Sequence, residues 1–165
     1  MITLRDVTTE DSIIIYQWKN DSYLQQMALG PDYETTISAQ QDDIEKTLET
    51  EFSEYKMILL DDQPIGYIRI DYMDETKEMV WLRFALGEER GHGYAEEALR
   101  IYLEGLFRRG IKRIEGEVYE INVPSHKIMT KLGFINEGIK RKAHFIGSEY
   151  IDIYVYGLLE EDYNK

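Results

Sequence analysis

The stretch from Met79 to Arg109 constrains the fold more than any other part of the chain. It reads as a strand, MVWLRFAL, a glycine turn, GEERGHG, and a long helix, YAEEALRIYLEGLFRR. Ala95, Ala98, Leu99, Tyr102, Leu103 and Leu106 recur at the spacing of one helical face. Glu96, Glu97, Arg100, Glu104 and Arg108 fall largely on the other face, and Gly110 supplies a stop. Between strand and helix lies Arg90-Gly91-His92-Gly93-Tyr94-Ala95. Glycines let the backbone approach a ligand closely, and the first amides of a helix have no partner within it. The positive end of the helix dipole adds to them, so the turn is a place where phosphate can bind. Taken alone, it is equally an ordinary connection between a sheet and a helix.

The rest of the chain supplies a mixed sheet around this unit. Met1 to Asp6 reads as a short strand, and Thr8 or Thr9 can cap a helix running through Trp18. Asn20 to Glu34 reads as irregular, with Gly30-Pro31 as a breaker. A helix over Ser38 to Glu51 would turn Ile44 and Leu48 inward. Lys56–Leu60 and Ile65–Tyr72 form a hairpin turning at Asp61-Asp62-Gln63-Pro64. Gly66 inside that pattern predicts a bulge or a close backbone approach. Arg113–Ile121 is a strand, parallel to Met79–Leu86 through a right-handed crossover. A short helix opens at Pro124, buries Ile128 and Leu132 and stops at Gly133. Phe134–Phe145 and Glu149–Leu158 complete the sheet. Helices alternating with strands predict an α/β domain spanning residues 1–165.

Composition narrows the function. A net charge of −13 argues against nucleic acid as a general partner, because phosphate contacts need a basic patch. It suits solubility, and it would also draw in a cationic small molecule or a basic peptide. The chain has no cysteine, so disulfides and thiolate metal sites are excluded. His92, His126 and His144 show no metal-ligand spacing. No apolar run approaches the roughly 18 residues of a membrane span. The opening MITLRDVTTED lacks the pattern of a signal peptide, and the expected location is cytoplasmic.

Three motifs then occur in order: Arg90-Gly91-His92-Gly93-Tyr94-Ala95, Asn122-Val123-Pro124-Ser125 and Lys131-Leu132-Gly133-Phe134. Together with ITLRDVTTED, Pro64-Ile65-Gly66 and the strand bearing Asp152, they resemble the GNAT superfamily of acetyl-CoA-dependent N-acetyltransferases. The likeness is greatest to the branch of ribosomal-protein N-terminal and spermidine acetyltransferases. It implies a mostly antiparallel sheet of about seven strands, splayed at its centre and flanked by about four helices. The cofactor would be acetyl-CoA. Its arm would lie along main chain at Phe84, Ala85 and Leu86, with the pyrophosphate on amides from Arg90 through Gly91, His92, Gly93, Tyr94 and Ala95. Asn122 would contact the arm and can also cap the helix, and both roles can hold at once. Ser125 and Met129 would lie near the thioester.

The chain departs from the family in two places. The turn motif usually opens with Gln or Arg where this chain has Glu88. Many members carry a proton-donating Tyr where this chain has Met129, and a thioether cannot donate a proton. Ser125 is then the nearest hydroxyl, unless it only bonds backbone in the first turn. The implied reaction is direct attack of a primary amine on the thioester, in a complex holding both reactants. The amine must first lose a proton. Glu78 is the carboxylate closest to the family's base position, and Glu117 is the second candidate. Glu120 on the same strand as Glu117 would face the other way. His126 is a candidate carrier of a proton through water, and Asp152 has a structural role in the family.

Tyr16, Trp18, Tyr23, Tyr33 and Trp81 are candidate walls for an acceptor pocket. The acceptor would be a protein N-terminus, a polyamine, an aminoglycoside or an amino sugar, and the resemblance also implies a homodimer. The alternative is a catalytically weak acyl-CoA-binding module of the same fold.

Overall fold

The computed structural model describes residues 1–163. Its seven strands are β1 (Ile2–Asp6), β2 (Ser53–Leu60), β3 (Gln63–Tyr72), β4 (Met79–Leu86), β5 (Arg113–Tyr119), β6 (Ile135–Phe145) and β7 (Tyr150–Leu159). They form one sheet in the order β1-β2-β3-β4-β5-β7-β6. Every neighbouring pair is antiparallel except β4 and β5. The parallel pair is the expected crossover, joined by the long helix.

The β4–β5 ladder is short. It holds Met79 to Arg113, Val80 to Ile114 and Trp81 to Glu115, and then stops. β4 goes on pairing with β3 as far as Leu86, and β5 with β7 as far as Tyr119. The two strands therefore part beyond Trp81 and Glu115, as the resemblance implied. Met129 packs into the base of the wedge. A Cβ at Gly116 would lie 3.0 Å from its Cε, and Met129 is only 1% exposed. A larger residue than glycine at position 116 would push on a fully buried side chain.

Among the described residues, six α-helices flank the sheet: α1 (Ser12–Lys19), α2 (Ser22–Leu24), α3 (Ile37–Glu49), α4 (Tyr94–Arg108), α5 (Val123–Lys131) and α6 (Glu160–Tyr163). The four longer ones answer to the four expected. On one face, α4 buries Ala98, Leu99, Leu103 and Leu106 against Ile68, Ile70, Val80, Leu82 and Ile114. On the other, Ile15, Trp18, Leu24 and Ile44 pack on Tyr55, Met57, Tyr67 and Ala85.

Several local expectations need correction. Asn20–Glu34 is not wholly irregular: it holds α2 and a π turn over Gln25–Leu29, started by the Asp21 carboxylate accepting from the Leu24 amide at 3.3 Å. α3 begins at Ile37 because Thr36 caps it, and its buried positions are Gln40, Ile44 and Thr47. Leu48, expected inside, is 54% exposed. In α5 the fully buried residue is Met129, and Ile128 is only half-buried. β5 ends at Tyr119 because the chain turns there, the Asn122 amide donating to the Tyr119 carbonyl at 2.9 Å.

Both readings of Gly66 hold. The β2–β3 register shifts at Ile58/Leu59, beside it. A Cβ on Gly66 would lie 2.3 Å from the Ala85 carbonyl oxygen, so only glycine lets β3 approach β4 there.

Candidate active site

The turn after β4 is built by its glycines. Gly91 and Gly93 have φ of +89° and +81°, in the left-handed region that side chains rarely adopt. A Cβ on either would meet nothing within 4 Å, so the space beside this backbone is open. Gly93 stands at the N-cap of α4 and offers no side-chain oxygen to the first turn. The leading amides of α4 thus face the opening, where an anion can replace the missing cap.

That opening is a cavity of about 620 Å³ between β4, the turn, α2 and α5. Phe84, Ala85, Leu86, Arg90, Gly91, Gly93, Tyr94, Ala95, Asn122 and Ser125, all expected at the cofactor site, line it together. His92 does not; it is exposed and lies beside Tyr94, with 5.6 Å between ring centres. Arg90 has a second task. Its Nε donates to the Leu86 carbonyl at 2.9 Å, and its guanidinium pairs with Asp21 at 3.1 Å and stacks on Tyr23. It therefore fastens the turn to α2 rather than standing free. Glu88 and Glu89 are exposed and outside the lining, while Lys127 and Lys131 bring cations to it.

A second cavity of about 210 Å³ lies on the other side of the wedge. Tyr67, Trp81, Arg83, Glu117, Tyr119 and Met129 contribute to its walls. The two cavities share Met27, Ala28, Phe84, Asn122 and Ser125, so they meet where β4 and β5 part. Asn122 spans this junction. Its Nδ2 donates to the Met27 carbonyl at 3.2 Å, and its Oδ1 accepts from the Ser125 amide at 3.3 Å. The helix-cap reading is therefore correct. The Ser125 Oγ makes no hydrogen bond to a described residue, against the alternative that it only serves the backbone.

The candidate bases fare differently. Glu117 lines the second cavity, and its carboxylate accepts from Lys140 Nζ at 2.7 Å. Glu78 precedes β4 at the end where the parallel ladder begins, paired with Lys112 at 3.2 Å. It lines neither cavity, although Trp81, three residues further on, lines the second. Glu120 accepts from the Asp152 amide at 2.9 Å, and Asp152 accepts from the Lys142 amide at 2.8 Å. Both carboxylates serve the backbone, as expected for Asp152. His126 lines neither cavity. Its Nε2 must donate to the Tyr119 carbonyl at 3.0 Å, which leaves Nδ1 facing the Tyr156 hydroxyl at 2.7 Å. It links α5 to β5 and β7.

Sequence reasoning missed Met27, Ala28, Tyr67, Arg83 and Tyr119. Asp21 followed by Leu24 was a readable signal for the helical segment bearing Met27. Of the proposed aromatic walls, Tyr23 and Trp81 line cavities. Trp18 is core: a Cβ on Gly87 would lie 2.2 Å from its ring. Burial pushes the Tyr67 phenol up to about 12, so it stays a protonated donor. Burial also pulls the neighbouring Lys19 ammonium down to about 8.

Comparison with known proteins accords with this geometry. The family profile described as "Acetyltransferase (GNAT) domain" matches residues 1–135. The N-acetyltransferase p20 of Bacillus licheniformis is 28% identical over 170 residues, covering 98% of this chain and 94% of that protein. Among solved structures, the spermidine N-acetyltransferase of Vibrio cholerae, in complex with CoA and spermine, has a TM-score of 0.89 at 18% identity, covering 99% of this chain and 98% of that one. RimL, a ribosomal L7/L12 alpha-N-protein acetyltransferase in complex with CoA, has a TM-score of 0.85 at 19% identity, covering 96% of this chain and 93% of that one. At such identities the structures speak for the fold alone, and the family match and the p20 relative carry the activity. The chain belongs to the acetyltransferase (GNAT) family and is an acetyl-CoA-dependent N-acetyltransferase.

Proposed function

We propose that the acceptor is a primary amine, acetylated by direct attack in a complex that holds both reactants at the junction of the two cavities. The carrying observation is that junction: Phe84, Asn122 and Ser125 face both spaces where β4 and β5 part. Such an arrangement brings two bound groups together without a covalent enzyme intermediate.

Acetyl-CoA supplies an acetyl group activated as a thioester. Main chain from Gly91 to Ala95 holds the diphosphate, and main chain of Phe84, Ala85 and Leu86 holds the arm along the unpaired edge of β4. An amide on that edge is placed to polarise the carbonyl. Glu117 takes the proton from the incoming ammonium, directly or through water. Ser125 Oγ gives a proton to the departing sulfur, a task Met129 cannot perform. Glu78 has no part in this scheme.

The acceptor class includes a protein N-terminus, a polyamine, an aminoglycoside and an amino sugar. The whole chain acts as one acetyltransferase domain, since its sheet draws strands from both ends of the described residues. A cytoplasmic location is in keeping with the absence, among the described residues, of a helix long and apolar enough to cross a membrane. Homodimer formation is supported by the exposed apolar residues Ile135, Ile139, Phe145 and Tyr150 on the β6–β7 hairpin.

The test is a mass shift of one acetyl group on members of an amine panel, dependent on acetyl-CoA. An unmodified panel, with no hydrolysis of the thioester, would overturn the acceptor reading.

A further inference from the structure

Beside the second cavity lies a group of cations that the scheme above does not use. Arg69 pairs with Asp43 at 2.8 Å and with Asp71 at 3.6 Å, and Arg83 pairs with Asp71 at 2.6 Å. Lys19 is the third cation. Its Nζ lies 5.5 Å from the centre of the Tyr67 ring, and it makes no ion pair within 4.0 Å among the described residues. Two carboxylates thus face three cations, leaving one positive charge in excess in a chain whose net charge is −13. Tyr67 and Arg83 line the cavity itself, and the Tyr67 phenol stays protonated.

A half-buried ammonium with no direct ion pair is costly to keep: burial lowers its affinity for a proton, and the Asp43 carboxylate offsets this only in part. Helix α1 could carry a neutral residue there at less cost. Lys19 is not part of the cavity wall, but it packs on the Tyr67 ring, so an anion bound in the cavity against Tyr67 and Arg83 would come close to it. The cavity holds about 210 Å³, below the about 300–1,000 Å³ of sites for drug-sized ligands, so it takes a group the size of one or two residues.

We infer that the acceptor is an amine that also carries a carboxylate, held by Lys19, Tyr67 and Arg83 while its amino group faces Glu117 and Ser125. This rests on the N-acetyltransferase reading above and narrows its acceptor. A polyamine, which has no anion, would lack this grip. The carboxylate has two sources: the α-carboxylate of a free amino acid, or an acidic side chain next to a peptide N-terminus.

The experiment uses matched pairs. One arm compares free serine with serine amide. The other compares the amidated dipeptides Ser-Glu and Ser-Gln. For each pair, kcat/KM is measured with the wild type, Lys19→Met, Lys19→Arg and Arg83→Gln. Calorimetry with CoA present then measures binding of the N-acetylated acid and amide, which requires no turnover. The acid member of one pair should be favoured about tenfold, the size expected for one charged hydrogen bond. The pair that shows it identifies the source. Lys19→Met should bring the ratio close to one, Arg83→Gln should reduce it, and Lys19→Arg should keep most of it. Equal values for acid and amide in both kinetics and calorimetry would overturn the inference, even if both are acetylated. If none of the four is acetylated, the reading of the acceptor as an amine of this size falls. The calorimetric ratio alone then decides whether Lys19 holds a carboxylate.

Discussion

Asn122 donates to the Met27 carbonyl at 3.2 Å and, through its other atom, caps Ser125 at 3.3 Å. One side chain thus ties the π turn, which borders both cavities, to the helix that carries the candidate acid. Asn122→Ala should lower stability by about 1 kcal/mol through loss of the cap, somewhat more if the Met27 carbonyl is left unpaired. Urea denaturation measures this. Turnover should fall further than stability accounts for, because Ser125 and Met27 both border the junction. A variant with unchanged stability and turnover would show that the link carries no weight.

Gly93→Asp and Met129→Ala separate cofactor binding from packing. Gly93 has φ of +81°, and an aspartate there would place a negative charge at the proposed phosphate site. CoA affinity should fall by at least about tenfold, the size expected for one charged hydrogen bond. Met129 is fully buried in the wedge. Its loss should cost about 2–5 kcal/mol of stability and leave CoA affinity nearly unchanged. Calorimetry on both variants checks this, and equal losses of affinity would show the phosphate site is elsewhere.

The parts legible in the sequence were those with local causes. The α4 face follows from its apolar spacing, and the turn from glycines whose φ only glycine adopts readily. The parting of β4 and β5 came through family likeness, because no local pattern announces where a parallel ladder stops. The second cavity was largely hidden. Tyr67, Arg83 and Tyr119 are ordinary alternating strand residues, and only the pairing of β3, β4 and β5 puts them around one space. Glu78 lines neither cavity for the same reason: its place in sequence does not say which residues of β4 border the open space. Leu48 was misplaced because α3 turns Gln40, Ile44 and Thr47 inward, a face set by packing against the sheet.

Ser125→Ala and Glu117→Gln should each lower kcat with CoA affinity largely kept. A positioned acid or base contributes roughly 100-fold or more, so losses of that order are expected. Glu117→Gln should also abolish the rise of kcat/KM with pH that a general base gives. Unchanged kcat in either variant removes that residue from the scheme.

Lys19 gives a pH signature. Burial holds its folded pKa at about 8, below the ordinary 10.5. Between these values the unfolded chain binds a proton that the folded chain has released, so stability rises with pH across the window. Below about 8 both states are charged, and the folded state bears the full cost of the buried ammonium. Lys19→Met should therefore be more stable than the wild type at pH 7, with the gain shrinking as pH approaches 10.5. Denaturation of both proteins across that range tests it, and a difference that does not change with pH would show that Lys19 is well solvated.

A crystal structure with CoA bound is the most direct measurement. The expected result is a diphosphate on the main-chain amides between Gly91 and Ala95, with the sulfur at the junction bordered by Phe84, Asn122 and Ser125. CoA bound elsewhere, or a sulfur pointing away from the parting of β4 and β5, would contradict the placement of the reaction.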